Sequence, residues 1–295
     1  QWLELRRIDE TTPDAYLYPE YDDVLRRAML AETRGFVDYL IKANLSTDNL
    51  IDSEFTFINR KMAEHYGIDG VMGEGVRKVT LADHSVRGGI ITHASISKIT
   101  ANGTVTTPVK RGNYVLSTLL GLPPNPPPPN VGSIEPDTRG ATTIRETLAK
   151  HQEIQTCAVC HRRIDPPGFA LESFDPVGNY RDRYRNSRGV TREKNPGLRY
   201  LHVDYDLGNL VDPSGITEDG EPFGSILDYR EKLLHSSEQV ARNVVSQLLV
   251  FATGAEIEFA DRIEVEKILA STKADGYRMR SLIHQVIQSR LFRDR

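Results

Sequence analysis

Apolar residues recur every three or four positions between Tyr21 and Asn44, at Val24, Leu25, Ala28, Leu30, Phe36, Val37, Leu40 and Ile41. That period places them on one stripe and predicts a core-facing amphipathic helix, or two short ones interrupted near Gly35. A second helix is expected from about Glu54 to Tyr66, stopped by Gly67, with Phe55, Ile58, Met62 and His65 on one face. Val76 to Leu81 reads as a short strand. Arg87-Gly88-Gly89 then opens a helix-like run, Ile90, Ile91, Ala94 and Ile96, that carries His93, and Asn102-Gly103 reads as a tight turn. Thr107-Pro108 starts a third helix, whose Tyr114, Val115, Leu116, Leu119 and Leu120 are closed off by Gly121.

The periodicity stops at a proline run, Pro123 to Pro129 interrupted only by Asn125, which has too few backbone donors for helix or sheet and is expected as a polyproline II strap. It marks the boundary between an N-terminal helical domain, residues 1–122, and a second segment, residues 123–185. Within that segment Thr143-x-x-Glu146 resembles a capping box and predicts a helix to about His151. Ile164-Asp165-Pro166-Pro167-Gly168-Phe169 is expected as a rigid turn, because two prolines fix φ and the glycine is free of that limit. Residues 186–222 form an irregular excursion with minor β, where alternation in Leu198 to Val203 suggests a small hairpin.

Residues 223–295 read as a C-terminal helical domain. Helices are expected from Ser225 to about Leu234, from Ser236-x-x-Gln239 to Gly254, near Ala260 to Ala270 and near Tyr277 to Phe292. The long one should bury Val240, Val244, Leu248 and Phe251. The fold class that follows is mainly α with minor β. No internal repeat is evident.

Composition narrows the partners. At 295 residues, 39% hydrophobic and a mean hydropathy of -0.42, this is the balance of an ordinary globular chain. No apolar run reaches the length of a transmembrane segment. A net charge of -4 offers no basic field for nucleic acid.

The two cysteines of the chain stand together in Cys157-Ala158-Val159-Cys160-His161, the attachment pattern of c-type haem. Each thiol can form a thioether to a haem vinyl group, while the adjacent imidazole becomes the proximal ligand of the iron. A zinc site would need a second Cys or His pair at tight spacing, and none follows. A thioredoxin-type dithiol would follow a strand, whereas the residues before Cys157 read as helix. The expectation is therefore covalent haem c, with residues 123–185 forming a cytochrome-c-like haem segment. Because haem is attached outside the cytoplasm, the chain is expected to be periplasmic or extracellular, its leader lying outside the given sequence.

For the sixth iron position His65 is the first choice, ahead of His93, Met62 and then Met279. His151 precedes the motif too closely to reach the opposite haem face and is expected to bond a propionate or a backbone group. Arg145, Arg162, Arg163 and Arg181 are candidates to pair with the propionates, since guanidinium meets carboxylate in bidentate geometry. The turn containing Pro166 and Phe169 is expected to wrap a haem edge. Asp165, Glu172 and Asp175 are expected to cap backbone or pair with arginine, without forming a catalytic dyad.

The runs Arg139 to Glu146, Cys157 to His161 and Ile164 to Asp175 closely resemble cytochrome-c-like modules of large exported proteins of planctomycete type, which carry the DUF1592, DUF1588 and DUF1585 domains in series. The resemblance extends through Phe55 to Gly67, Arg87 to Gly89, Thr107 to Gly112, Leu248 to Gly254 and Ser289 to Phe292, and so covers most of the chain. It implies an exported haem-binding protein, often longer at its N-terminus, where another cytochrome-type domain can sit. The excursion around Arg188 to Leu210 is longer than the family pattern. The leading expectation is a mono-haem cytochrome that passes single electrons to a redox partner protein or another haem subunit. A haem enzyme of peroxidase-like type with an open sixth position, and a module that haem merely stabilises, are the rivals.

Overall fold

The computed structural model describes residues 1–126, 143–186 and 205–294. About 52% of the described residues are helical and their strands form only short antiparallel pairs, so the fold is mainly α with minor β. The last three residues of the strap (Pro127 to Pro129), Arg139 to Thr142 and the expected hairpin at Leu198 to Val203 lie outside the described residues.

Helix α1, Asp23–Lys42, begins where the Asp22 carboxylate accepts a hydrogen bond from the Leu25 amide at 2.6 Å. It runs unbroken through Gly35, where a Cβ would stand 3.3 Å from Phe57; the missing side chain lets the helix lie close on the next strand. The expected helix from Glu54 to Tyr66 is instead a strand and a shorter helix. Phe55-Thr-Phe-Ile58, aromatic and β-branched, forms β1 (Phe55–Ile58), and Asn59 caps α2 (Arg60–Tyr66) by accepting from the Met62 amide. The expected strand is present as β2, Arg77–Thr80, antiparallel to β1 with Phe55 opposite Thr80. After a 3-10 turn at Ile90–Thr92 comes α3, Ala94–Ile99. Helix α4, Pro108–Tyr114, then widens into a π-helical turn at Val115–Leu119 and ends at Gly121, φ 65°.

Helix α5, Ile144–Gln152, carries the complete capping box, with Thr143 and Glu146 each bonding the other's backbone amide. Helix α6, Gln155–Ala170, overturns the expected rigid turn: Pro166 and Pro167 lie inside it. Proline removes the donors that the Arg162 and Arg163 carbonyls would otherwise receive. The helix persists because α4 packs on it backbone to backbone. A Cβ on Gly112 of α4 would overlap the Ile164 carbonyl oxygen, and one on Gly168 of α6 would overlap that of Pro108. Arg111, buried beside this crossing, donates to the carbonyls of Leu171 (2.6 Å), Phe174 (2.5 Å) and Asp175 (3.1 Å), and so also fixes the chain as it leaves α6.

Strands β3, Arg183–Asn186, and β4, Asp206–Leu210, pair, as do β5, Gly215–Ile216, and β6, Pro222–Phe223. Five helices follow: α7 Ile226–Leu234, α8 Ser237–Thr253, α9 Arg262–Thr272, α10 Met279–Gln288 and α11 Arg290–Arg293. Three details of the expectation change. Ser236 forms no side-chain cap, and the Gln239 amide donates to the Leu120 carbonyl at 2.7 Å. Phe251 is 76% exposed although it shares the helical stripe of Val240 and Val244; it stands in the last turn of α8, which ends at Thr253. The last helix breaks at Ser289, which caps α11. One apolar core takes Phe36 and Leu40 from α1, Val115 and Leu119 beyond α4, Ile164 and Ala170 from α6, and Val244 and Leu282 from the C-terminal helices. A second joins Leu25 and Met29 of α1 to Met62, Ile96 and Val177.

If the crossing of α4 and α6 holds the fold, Gly112→Ala and Gly168→Ala should each cost about 3 kcal/mol or more in urea unfolding. Gly254→Ala, at φ 69° with nothing within 4 Å, should cost about 1 kcal/mol. Equal losses at all three positions would show that the crossing has no special weight.

Candidate functional site

Helix α6 starts two residues before Cys157, and the spacing of Cys157, Cys160 and His161 puts the three side chains on one helical face. Both thiols are free and half-buried. His161 is 6% exposed, while Val159 between the cysteines is 69% exposed and Ile154, just before the helix, 56%. The motif thus has an inner face that holds its chemistry and an outer face in solvent.

The His161 imidazole is oriented by Asp165, one turn further along α6. Nδ1 lies 2.9 Å from Oδ1 and 3.1 Å from Oδ2. The Gln152 amide, at the end of α5, donates to the same Oδ2 at 2.7 Å. An ionised carboxylate can only accept, which assigns the proton to Nδ1 and the ring's lone pair to Nε2. Among the described residues Nε2 has no hydrogen-bond partner. Asp165 is 1% exposed, and among the described residues no lysine or arginine pairs with it. A buried carboxylate with no permanent cation beside it is costly. A cation on the far side of that ring, at Nε2, would offset the cost.

The donor set suits a haem iron: two unpaired thiols for the thioethers and one imidazole with its metal-binding nitrogen open. Among the described residues no group of three or more His, Cys, Asp or Glu side chains is placed to hold a bare metal ion. Haem asks less, because its porphyrin supplies the equatorial nitrogens.

His151 stands edge-on to His161, ring centres 4.8 Å apart at 75°. Two imidazoles on opposite faces of one metal ion, each at roughly 2 Å, hold their centres about 6 Å apart, a spacing wider than that of His151 and His161. Desolvation, and then the neighbouring His161, lower its pKa. His65 is elsewhere: its Nε2–H donates to the Val177 carbonyl at 2.8 Å, and it shares no bonding partner with His161. His93 is buried, its Nδ1 2.9 Å from Thr33 Oγ1. Met62 is enclosed in the second core and Met279 in the first. The structure therefore brings together Cys157, Cys160, His161 and His151, whereas His65 and His93 are bonded to Val177 and Thr33 and the two methionines are enclosed in the apolar cores.

Of the candidate propionate partners, Arg145 lies flat on the Phe169 ring, 3.9 Å from its centre, and bonds Asp212 and the Ser214 carbonyl. Arg163 pairs with Glu218 at 3.2 Å, and Arg181 bonds Thr106 and the Glu172 carbonyl. Arg162 is exposed and has no partner among the described residues. Pro166 and Phe169 are buried in α6, in place of the expected turn around a haem edge. Asp175 accepts from the Val177 and Asn179 amides, and Glu172 from Thr106 and Tyr184. The part of the site missing from the sequence reading is the contact of Asp165 and Gln152 with His161. Its signal was the i, i+4 spacing of His161 and Asp165, hidden once Pro166-Pro167 was read as ending the helix.

With this geometry established, comparison with known families gives three consecutive matches, each described as a protein of unknown function: DUF1592 over residues 1–68, DUF1588 over 87–184 and DUF1585 over 219–292. The chain belongs to this DUF1592–DUF1588–DUF1585 series. The cysteine motif and its partners Gln152 and Asp165 fall within the DUF1588 match. No curated protein and no solved structure matches the chain. Among the described residues no helix is long and apolar enough to cross a membrane.

Burial pushes the His65 imidazole down to about 4, against the raising effects of Asp175 and of its bond to Val177. An unfolded histidine binds its proton near 6.5, so between these values the unfolded chain holds more protons than the native one. The stabilisation is complete above about pH 6.5 and is lost as pH falls toward 4, at up to about 1.4 kcal/mol per pH unit. His65→Asn should flatten that part of the stability curve relative to the wild type, measured by urea midpoints between about pH 7 and about pH 4.5. Parallel curves would contradict the assignment.

Proposed function

We propose that this chain is an extracytoplasmic mono-haem c-type protein that passes single electrons to a redox partner protein or to another haem subunit. The observation that carries the reading is the inner face of α6, where two free thiols stand beside an imidazole whose Nδ1 is committed to Asp165 and whose Nε2 is open. When bound, the haem would supply the one-electron couple. Cys157 and Cys160 tether it, His161 sets one side of its ligand field, and the packing of α4 on α6 keeps that side rigid. Export follows from the chemistry of attachment, which takes place outside the cytoplasm.

One observation favours the second reading, a haem enzyme of peroxidase-like type with an open sixth position. A carboxylate on the proximal imidazole makes it a stronger donor than a backbone carbonyl would. His65 and His151, the nearest histidines in sequence on the N-terminal side apart from His84 and His93, are respectively bonded to Val177 and set closer to His161 than opposite ligands of one metal ion would be. The spin state separates the two readings.

Produced with a periplasmic haem-attachment system, the full chain should keep haem through a denaturing gel and show the spectrum of a c-type pigment. Cys157→Ala combined with Cys160→Ala should abolish the covalent attachment. His161→Ala should retain haem on the thioethers and shift the spectrum most. A wild-type chain that emerges without haem would end the proposal, and a high-spin ferric form that reacts readily with peroxide would transfer it to the enzyme reading.

A further inference from the structure

The cytochrome reading needs His161 only as a ligand, yet the chain surrounds that ring with more than ligation requires. Asp165 is as buried as any residue in the apolar core, and it approaches Nδ1 with both oxygens, at 2.9 and 3.1 Å. One of those oxygens is also bonded, at 2.7 Å, by Gln152. The arrangement spans two helices, the end of α5 and the middle of α6. It depends on α6 continuing through Asp165 toward its prolines, because only helical geometry stacks residues 161 and 165. A turn at Ile164 would have separated them.

A neutral backbone carbonyl accepting from Nδ1–H would fix the ring's orientation equally well. The carboxylate adds negative charge to the imidazole, which raises the donor strength of Nε2 and favours the more positive state of whatever metal binds there. Gln152 acts in the opposite sense: its N–H draws charge from Oδ2 and so limits how strongly Asp165 can polarise the ring. The two residues set a balance, one strengthening the donor and the other moderating it.

We infer that Asp165 and Gln152 are positioning residues that hold His161 in its Nδ1–H form and set the reduction potential of the iron from opposite directions. This rests on the haem reading above for its second half and is independent of it for its first. Asp165→Asn keeps an acceptor oxygen but removes the charge, so it should raise the potential. Gln152→Leu leaves the carboxylate unmoderated, so it should lower the potential. General loosening around the haem would admit water, favour the ferric state and lower the potential in both variants.

The test has two arms on the full-length chain. Without haem, nitrogen NMR of His161 at about pH 9, above the ordinary histidine range, should show the proton on Nδ1. A proton on Nε2 would overturn the inference whether or not the protein binds haem. With haem attached, potentiometry should show at least a tenfold change in the ratio of reduced to oxidised protein for Asp165→Asn at a fixed potential. That is a rise of 59 mV for one electron. An unchanged or lower potential in Asp165→Asn overturns the tuning role. Should that variant fail to fold, Gln152→Leu decides together with its urea midpoint: a fall in potential with the midpoint unchanged supports the inference, and no change, a rise, or a fall accompanied by a lowered midpoint overturns it. A wild-type chain that takes no haem but carries its proton on Nδ1 would refute the functional reading and leave the His161–Asp165 assignment standing.

Discussion

Two glycines govern the placement of this site. Gly112 and Gly168 let α4 and α6 meet backbone to backbone, each residue lying against a carbonyl of the other helix. Side chains interdigitate with some slack, whereas peptide planes in direct contact have almost none. The contact also accounts for a helix that should not exist on propensity alone, since Pro166 and Pro167 each cost it a hydrogen bond. Because α6 stays helical through them, Asp165 comes to lie over His161. The orientation of one imidazole is thus traceable to an approach between segments that begin some fifty residues apart.

The charged interior around this crossing follows a consistent plan. Arg111 is buried, and its guanidinium is spent on three backbone carbonyls, at Leu171, Phe174 and Asp175. Glu172 lies 3.9 Å from Arg111 and 3.6 Å from Arg181, and Asp175 lies 3.8 Å from Arg185. Carboxylates near the exit of α6 therefore face guanidinium groups. Asp165 is the exception, having only His161 and Gln152. In a region where every other buried acid has a cation nearby, the one facing the cysteine motif is balanced through an imidazole.

Much of this was legible in the sequence. Period and caps located α1, the Thr143–Glu146 capping box, β2 and the C-terminal helices, because those features depend on neighbours within a few residues. Cys157, Cys160 and His161 were legible for the same reason. The failures lie where distant contacts override local preference. Phe55 to Ile58 satisfied a helical stripe but became a strand once it had β2 to pair with. Pro166-Pro167 signalled a turn but became helix once α4 covered it. Arg145, read as a propionate partner, found Asp212, Ser214 and the Phe169 ring through a fold that the sequence order conceals.

The exposed side of α6 has a different standing from its inner side. Val159 and Arg162 interleave with Cys160 and His161 along the chain, yet both are exposed to solvent. Substitutions there alter what a docking molecule would meet without moving the imidazole or the thiols. The six residues from Cys157 to Arg162 therefore carry two separable inscriptions, one held by the interior and one presented to solvent.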